Sequence, residues 1–215
     1  MTRQKIDFTF TKPVSLRLGQ APDINTTLFI GRTTEISRIH EVLIPEQNST
    51  EQRRLVLGGI GGVGKTQLAI AYAKRMWNSY DSIFWTDATS EATLKSSFKS
   101  IAENLFDPQD LQLLNGDEIV VGVMQWLSDT KNTKWLLIFD NYDEPQSYDL
   151  KDYYPQASHG SVLITTRVPD EISPEPLVLH PMSNVEEGLE ILRTRSKREN
   201  VKEGQYEVSN TLSVC

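Results

Sequence analysis

The chain has 215 residues, enough for one α/β domain with a buried core and short flanks. Its 38% hydrophobic and 24% charged residues are ordinary for a soluble globular protein. Acidic residues outnumber basic ones, 29 to 22, and the net charge of −7 argues against a nucleic-acid partner, because a surface built for a polyanion is normally basic. No stretch approaches the roughly 20 apolar residues of a membrane span, and no apolar run of signal-peptide length follows the charged N-terminus. The single cysteine, Cys215, excludes an internal disulfide or a cysteine metal site and is misplaced for prenylation. The expectation is a cytoplasmic protein with neither a membrane nor a nucleic-acid partner.

In chain order, residues 1–28 read as a polar leader or linker containing Pro13 and Pro22. A short helix is predicted after Gly31-Arg32, capped by Thr33 or Thr34, with Ile36, Ile39 and Leu43 on one face and Pro45 as its stop. Leu55-Val56-Leu57 reads as a buried strand ending in a glycine-rich turn. A helix from Lys65 to Trp77 follows, with Leu68, Ala69 and Tyr72 together. A second strand is expected over 82–86. Two helices come next, one carrying Leu94, Phe98, Ile101 and Leu105, the other running over about 117–128 with Val120, Val123 and Leu127 inward.

Trp135 to Phe139 is five apolar residues in a row, as expected of a strand with both faces covered, and Asp140 follows it. Strands are also predicted over 161–166, ending at Arg167, and over 177–179. A last helix opens at Ser183 with a capping box. The alternation predicts an α/β fold: a three-layer sandwich with a mainly parallel five-stranded sheet and helices on both faces. The four tryptophans are assigned to the core. The three histidines show no metal-ligand spacing, and no Ser-His-Asp or Cys-His arrangement is evident.

Gly59-x-x-x-x-Gly64-Lys65-Thr66 satisfies the P-loop pattern, and it lies between a predicted strand and a predicted helix, as its mechanism requires. Glycines let the backbone curl so that successive N–H groups converge on an anion at a helix N-terminus. The expected phosphate cradle comprises Gly59, Gly61, Gly62, Val63 and Gly64, continuing into Lys65, Thr66 and Gln67. Lys65 supplies a mobile charge for the β- and γ-phosphates, and the Thr66 hydroxyl is a candidate Mg²⁺ ligand. Asp140 stands where P-loop NTPases hold Mg²⁺. Arg167 is placed at the carboxyl edge of the sheet, where ligands bind in open α/β folds. The alternative for Arg167 is a surface pair with Asp170 or Glu171.

Together these elements resemble the nucleotide-binding domain of the NB-ARC branch of STAND NTPases, switch proteins of apoptosis and innate immunity, and fungal NOD-like receptors in particular. The resemblance runs from Phe29 to Asn200, giving an expected domain of 29–200 and a tail of 201–215. Phe29 to Glu35 is similar to the family's entry motif, Gly58 to Gln67 to Walker A, Leu136 to Asp143 to Walker B, and Gly160 to Arg167 to the sensor motif. The resemblance implies that Phe29, Ile30 and Arg32 line the adenine and ribose, that Lys65, Asp140 and Arg167 carry the phosphate chemistry, and that Arg167 senses the γ-phosphate. It implies ADP or ATP with Mg²⁺ as ligands, and homo-oligomers or full-length relatives as partners.

The sequence departs from the pattern at three places. Thr33 stands where the entry motif usually has Glu. Asn141 follows Asp140 where many relatives carry a second Asp, and an amide cannot accept a proton, so slow or absent hydrolysis is expected; Asp143 is the candidate substitute. The helical subdomain, winged helix and repeats of the family find no counterpart after residue 202, so a truncated product is expected. The leading reading is an ADP/ATP-binding switch domain, at most a slow ATPase. The alternatives are an efficient P-loop ATPase or small-molecule kinase, and an interaction or decoy module with weak nucleotide binding.

Overall fold

The computed structural model describes residues 21, 31–44 and 51–181. Apart from Ala21, the leader lies outside the described residues, as do Phe29, Ile30, Pro45, the helix expected from Ser183 and the tail. Helix α1 (Thr33–Leu43) precedes strand β1 (Arg53–Gly58), helix α2 (Lys65–Arg75) and strand β2 (Ser82–Asp87). Then come α3 (Glu91–Leu105), the single turn α4 (Pro108–Leu111), α5 (Gly116–Ser128), β3 (Trp135–Asp140), β4 (Ser161–Thr166) and β5 (Leu177–Val178).

The five strands form one sheet in the order β2-β3-β4-β1-β5, and every pair is parallel. The apolar runs are continuous because successive residues serve opposite faces. Leu55, Leu57, Ile83, Trp85, Leu136 and Ile138 pack with α1 and α2 on one side. Val56, Phe84, Leu137, Phe139, Val162 and Ile164 pack with α3 and α5 on the other. Each such fully buried aliphatic side chain contributes about 1.5–3 kcal/mol. The expected three-layer sandwich is the observed fold.

Some local expectations change. Neither Thr33 nor Thr34 caps α1; its N-cap is Arg32, held in the left-handed region at φ 56° with no side-chain cap. Helix α2 stops at Arg75 and gives way to a 3-10 turn over Trp77–Ser79, which leaves Trp77 half-buried, while Trp85, Trp126 and Trp135 are in the core. Among the described residues no helix is long and apolar enough to cross a membrane.

Candidate functional site

All five strands end at one edge of the sheet, and the glycine loop leaves β1 there. Gly59, Gly62 and Gly64 have φ of 142°, 77° and 96°, conformations that glycine adopts without a steric penalty. At Gly59 space is also short: a Cβ would lie 2.7 Å from the carbonyl oxygen of Leu179. Helix α2 begins on Gly64, so no side chain caps its first turn, and that turn carries no acid. By contrast, Ser90 with Thr93 closes α3 and Asn115 with Glu118 closes α5, each as a capping box with acids in the first turn. Helix α2 alone among these three presents free N–H groups and the positive end of its dipole to the loop.

The first residue of α2, Lys65, is 7% exposed and donates to the carbonyls of Gly59 at 2.7 Å and Ile60 at 3.1 Å. Burial lowers its pKa, while Asp143 and Asp140 act in the opposite direction. The next residue, Thr66, donates its hydroxyl to Asp140 Oδ1 at 2.9 Å, which brings the first turn of α2 and the end of β3 into contact. Asp140 is buried and also accepts from the Thr165 hydroxyl at 2.6 Å and the Asn141 amide at 3.2 Å. Burial raises its pKa, opposed by the hydroxyls of Thr165 and Thr66; nearby Asp87 adds to the rise and Lys65 opposes it. Asn141 sits at φ 63°, a left-handed position that asparagine tolerates better than most residues, and its N–H donates to Thr165 Oγ1 at 2.9 Å.

Arg167 leaves the end of β4, whose last residue Thr166 is in register with Gly58. Its Nε would be 3.8 Å from a Cβ on Gly61, so the guanidinium lies against the loop. Its ionic partner is Asp143, not Asp170 or Glu171: Nε to Oδ2 is 2.8 Å, and the Arg167 N–H donates to Oδ1 at 2.7 Å. Arg32 donates to Glu35 at 2.9 Å, to the Val63 carbonyl at 3.2 Å and to the His180 carbonyl at 2.9 Å. It therefore joins the entry segment, the glycine loop and the chain after β5. Gly61, Gly62, Val63 and Gln67 belong to this same loop and first turn.

Thr165 and Asp87 were not singled out from the sequence. The signal available for Thr165 was a pair of threonines ending an otherwise apolar strand; for Asp87 it was an acid closing β2, in register with Asp140. Among the described residues no group of three or more His, Cys, Asp and Glu side chains is placed to hold a metal.

The profile of the NB-ARC domain matches residues 32–194, well over half the chain. A nucleotide-binding leucine-rich repeat (NLR)-like protein of Hyaloscypha variabilis is 28% identical over 174 residues, covering 73% of this chain and 17% of that protein. The chain thus spans about a sixth of this relative's length. Among solved structures, the Orc1 protein of Aeropyrum pernix, solved in complex with DNA, superposes with a TM-score of 0.57 at 21% identity, over 87% of this chain and 54% of that one. Cdc6p of Pyrobaculum aerophilum gives 0.54 at 12% identity, over 88% and 57%. At these identities the two structures speak for the fold alone. The family match, the parallel sheet and the glycine loop agree: the chain belongs to the NB-ARC family and carries that family's nucleotide-binding domain.

Proposed function

We propose that this domain binds ADP or ATP with Mg²⁺ at the carboxyl edge of the sheet, as a signalling switch that hydrolyses slowly or not at all. The contact between the Thr66 hydroxyl and Asp140 carries this reading, because it sets a hydroxyl and a carboxylate together beside the first turn of α2. Such an all-oxygen donor pair suits a hard cation that takes its remaining ligands from phosphates and water. When bound, Mg²⁺ would neutralise phosphate charge. The glycine-loop N–H groups and Lys65 would bind and orient the phosphates, Thr66 and Asp140 would hold the ion, and Arg167 would meet the outer phosphate. Phe29, Ile30 and Arg32 are proposed for the nucleoside side.

Slow turnover follows from Asn141. Its amide donates to Asp140 and cannot take a proton from water, so the position next to Asp140 offers no general base. A cytoplasmic role in innate-immune signalling, with assembly into oligomers, belongs to the same proposal; the NLR-like relative, named as nucleotide-binding, supports its nucleotide-binding part.

Thermal unfolding with Mg²⁺ and either nucleotide tests the binding claim. Ligand at about 100 times its dissociation constant adds about 2.7 kcal/mol to stability, and Lys65→Ala should remove most of that gain. Absence of a shift for the wild type at millimolar nucleotide would refute it. Multiple-turnover phosphate release near the enzyme median of about 10 s⁻¹ would refute slow hydrolysis.

A further inference from the structure

We infer that Asp143 is an internal competitor for the terminal phosphate: it holds Arg167 in an ion pair that a nucleoside triphosphate must break and a diphosphate need not. The inference rests on the nucleotide-switch reading above. Asp143 accepts from Arg167 twice, through the backbone N–H at 2.7 Å and through Nε at 2.8 Å, which fixes both ends of the residue to one carboxylate. The guanidinium so held lies against Gly61, within the loop expected to wrap the phosphates. Among the charges acting on Lys65, Asp143 is the strongest. One carboxylate therefore pairs with Arg167 and acts on the charge of Lys65, the two cations proposed to meet the phosphates.

The pair is also free to open. Arg167 is 63% exposed, and an ion pair of that exposure is weak enough for a phosphate to displace, since bidentate guanidinium–phosphate contacts are the stronger kind. Asp143 itself is anchored, its N–H donating to the Asn141 carbonyl at 3.0 Å, on the loop that leaves Asp140. Breaking the Arg167 pair thus frees a carboxylate tied to the Walker B loop, which links the number of phosphates to the conformation of that loop. This gives Asp143 a role in ligand discrimination, distinct from that of a substitute base.

Calorimetric titration of the whole 215-residue chain with ADP and with a β,γ-imido triphosphate, both with Mg²⁺, tests the inference. Asp143→Asn keeps an acceptor for the Arg167 N–H but removes the charge. It should raise triphosphate affinity relative to diphosphate by about two- to fivefold, the factor that corresponds to an exposed ion pair. A ratio that stays put or moves toward the diphosphate overturns the inference. In an Arg167→Ala background Asp143→Asn should no longer move the ratio, and an undiminished effect there also overturns it. Arg167→Ala alone, which removes an exposed side chain, keeps the claim falsifiable if Asp143→Asn does not fold. It must weaken the triphosphate more than the diphosphate, and an equal loss is fatal. Wild-type protein that binds neither nucleotide refutes the switch reading and this inference with it; normal wild-type binding with an unmoved ratio refutes this inference alone.

Discussion

At the amino ends of the strands, Ser161 donates to the Leu43 carbonyl at 2.6 Å, the buried hydroxyls of Tyr72 and Tyr80 meet at 2.9 Å, and the Trp135 indole donates to the Leu127 carbonyl at 2.9 Å. At the carboxyl ends the buried polar groups include Lys65, Asp140, Thr165 and Thr166, and the first two ionise. The three contacts of the first edge bury neutral groups and pair them within the protein, the arrangement that makes polar burial nearly free, although at the same edge the Arg53 Nε is buried with no hydrogen-bond partner among the described residues. The second buries charges whose pKa values burial shifts against ionisation, so each costs stability at neutral pH. One edge holds the fold together, and the other keeps charge in place for a ligand to neutralise.

The largest expected effect lies at the amino edge. Gly160 has φ 75°, and a Cβ there would stand 2.2 Å from the Trp135 ring. That ring is fixed by its hydrogen bond to Leu127 and by the edge-on imidazole of His159, so it has little room to shift. Gly160→Ala combines overpacking with a left-handed alanine and should destabilise by about 3 kcal/mol or more in denaturant unfolding. Nucleotide affinity of the folded fraction should not change. An affinity loss matching the stability loss would show that the two edges are not separable.

Asp140→Asn tests the other side. Without nucleotide, the variant should be at least as stable as the wild type at neutral pH, because it removes a buried charge while its one amide oxygen, at the Oδ1 position, can still accept from the Thr66 and Thr165 hydroxyls. With Mg²⁺ and nucleotide it should lose most of the roughly 2.7 kcal/mol that saturating ligand confers. The sign of the pH dependence follows from the raised pKa of Asp140. The unfolded chain ionises this carboxyl more readily, so the penalty is absent below the unfolded value. It grows as pH rises through that value toward the folded one and is constant above it. The stability advantage of Asp140→Asn should therefore fade on acidification through the carboxylate range. An advantage that instead widens there contradicts burial as the cause.

The same division explains what the sequence disclosed. Continuous apolar strands such as Trp135–Phe139 were legible because both sheet faces are covered, and the glycine pattern before Lys65 was legible because its spacing is local. Asp140 and Arg167 could be placed at strand ends by counting. That Asp143 pairs with Arg167, or that Thr165 supports Asp140, depends on β3 and β4 lying side by side with Phe139 opposite Ile164, which no local pattern encodes. Helix α4 and the 3-10 turns are too short to show a period, and Trp77 falls beyond a helix end that alanine-rich sequence does not mark. The left-handed backbone at Arg32 and Asn141 likewise leaves only the faintest trace, asparagine's tolerance of it.

Tyr72→Phe gives the smallest effect and the finest test of the contrast. It removes one hydroxyl of a buried pair that links α2 to the segment entering β2, and it leaves Tyr80 with its bond to Ser161. The expected cost is about 1 kcal/mol, with unchanged nucleotide binding. Burial raises the pKa of both tyrosines above their ordinary values, so neither ionises near neutrality. The cost should therefore be the same at about pH 5 and about pH 8, a window in which unperturbed titration belongs to histidine. Measured by denaturant unfolding at the two pH values, a cost that changed between them would put an ionising group in contact with this pair. The tyrosine pair would then no longer be an uncharged part of the amino edge, and the division of labour between the two ends of the sheet would fail.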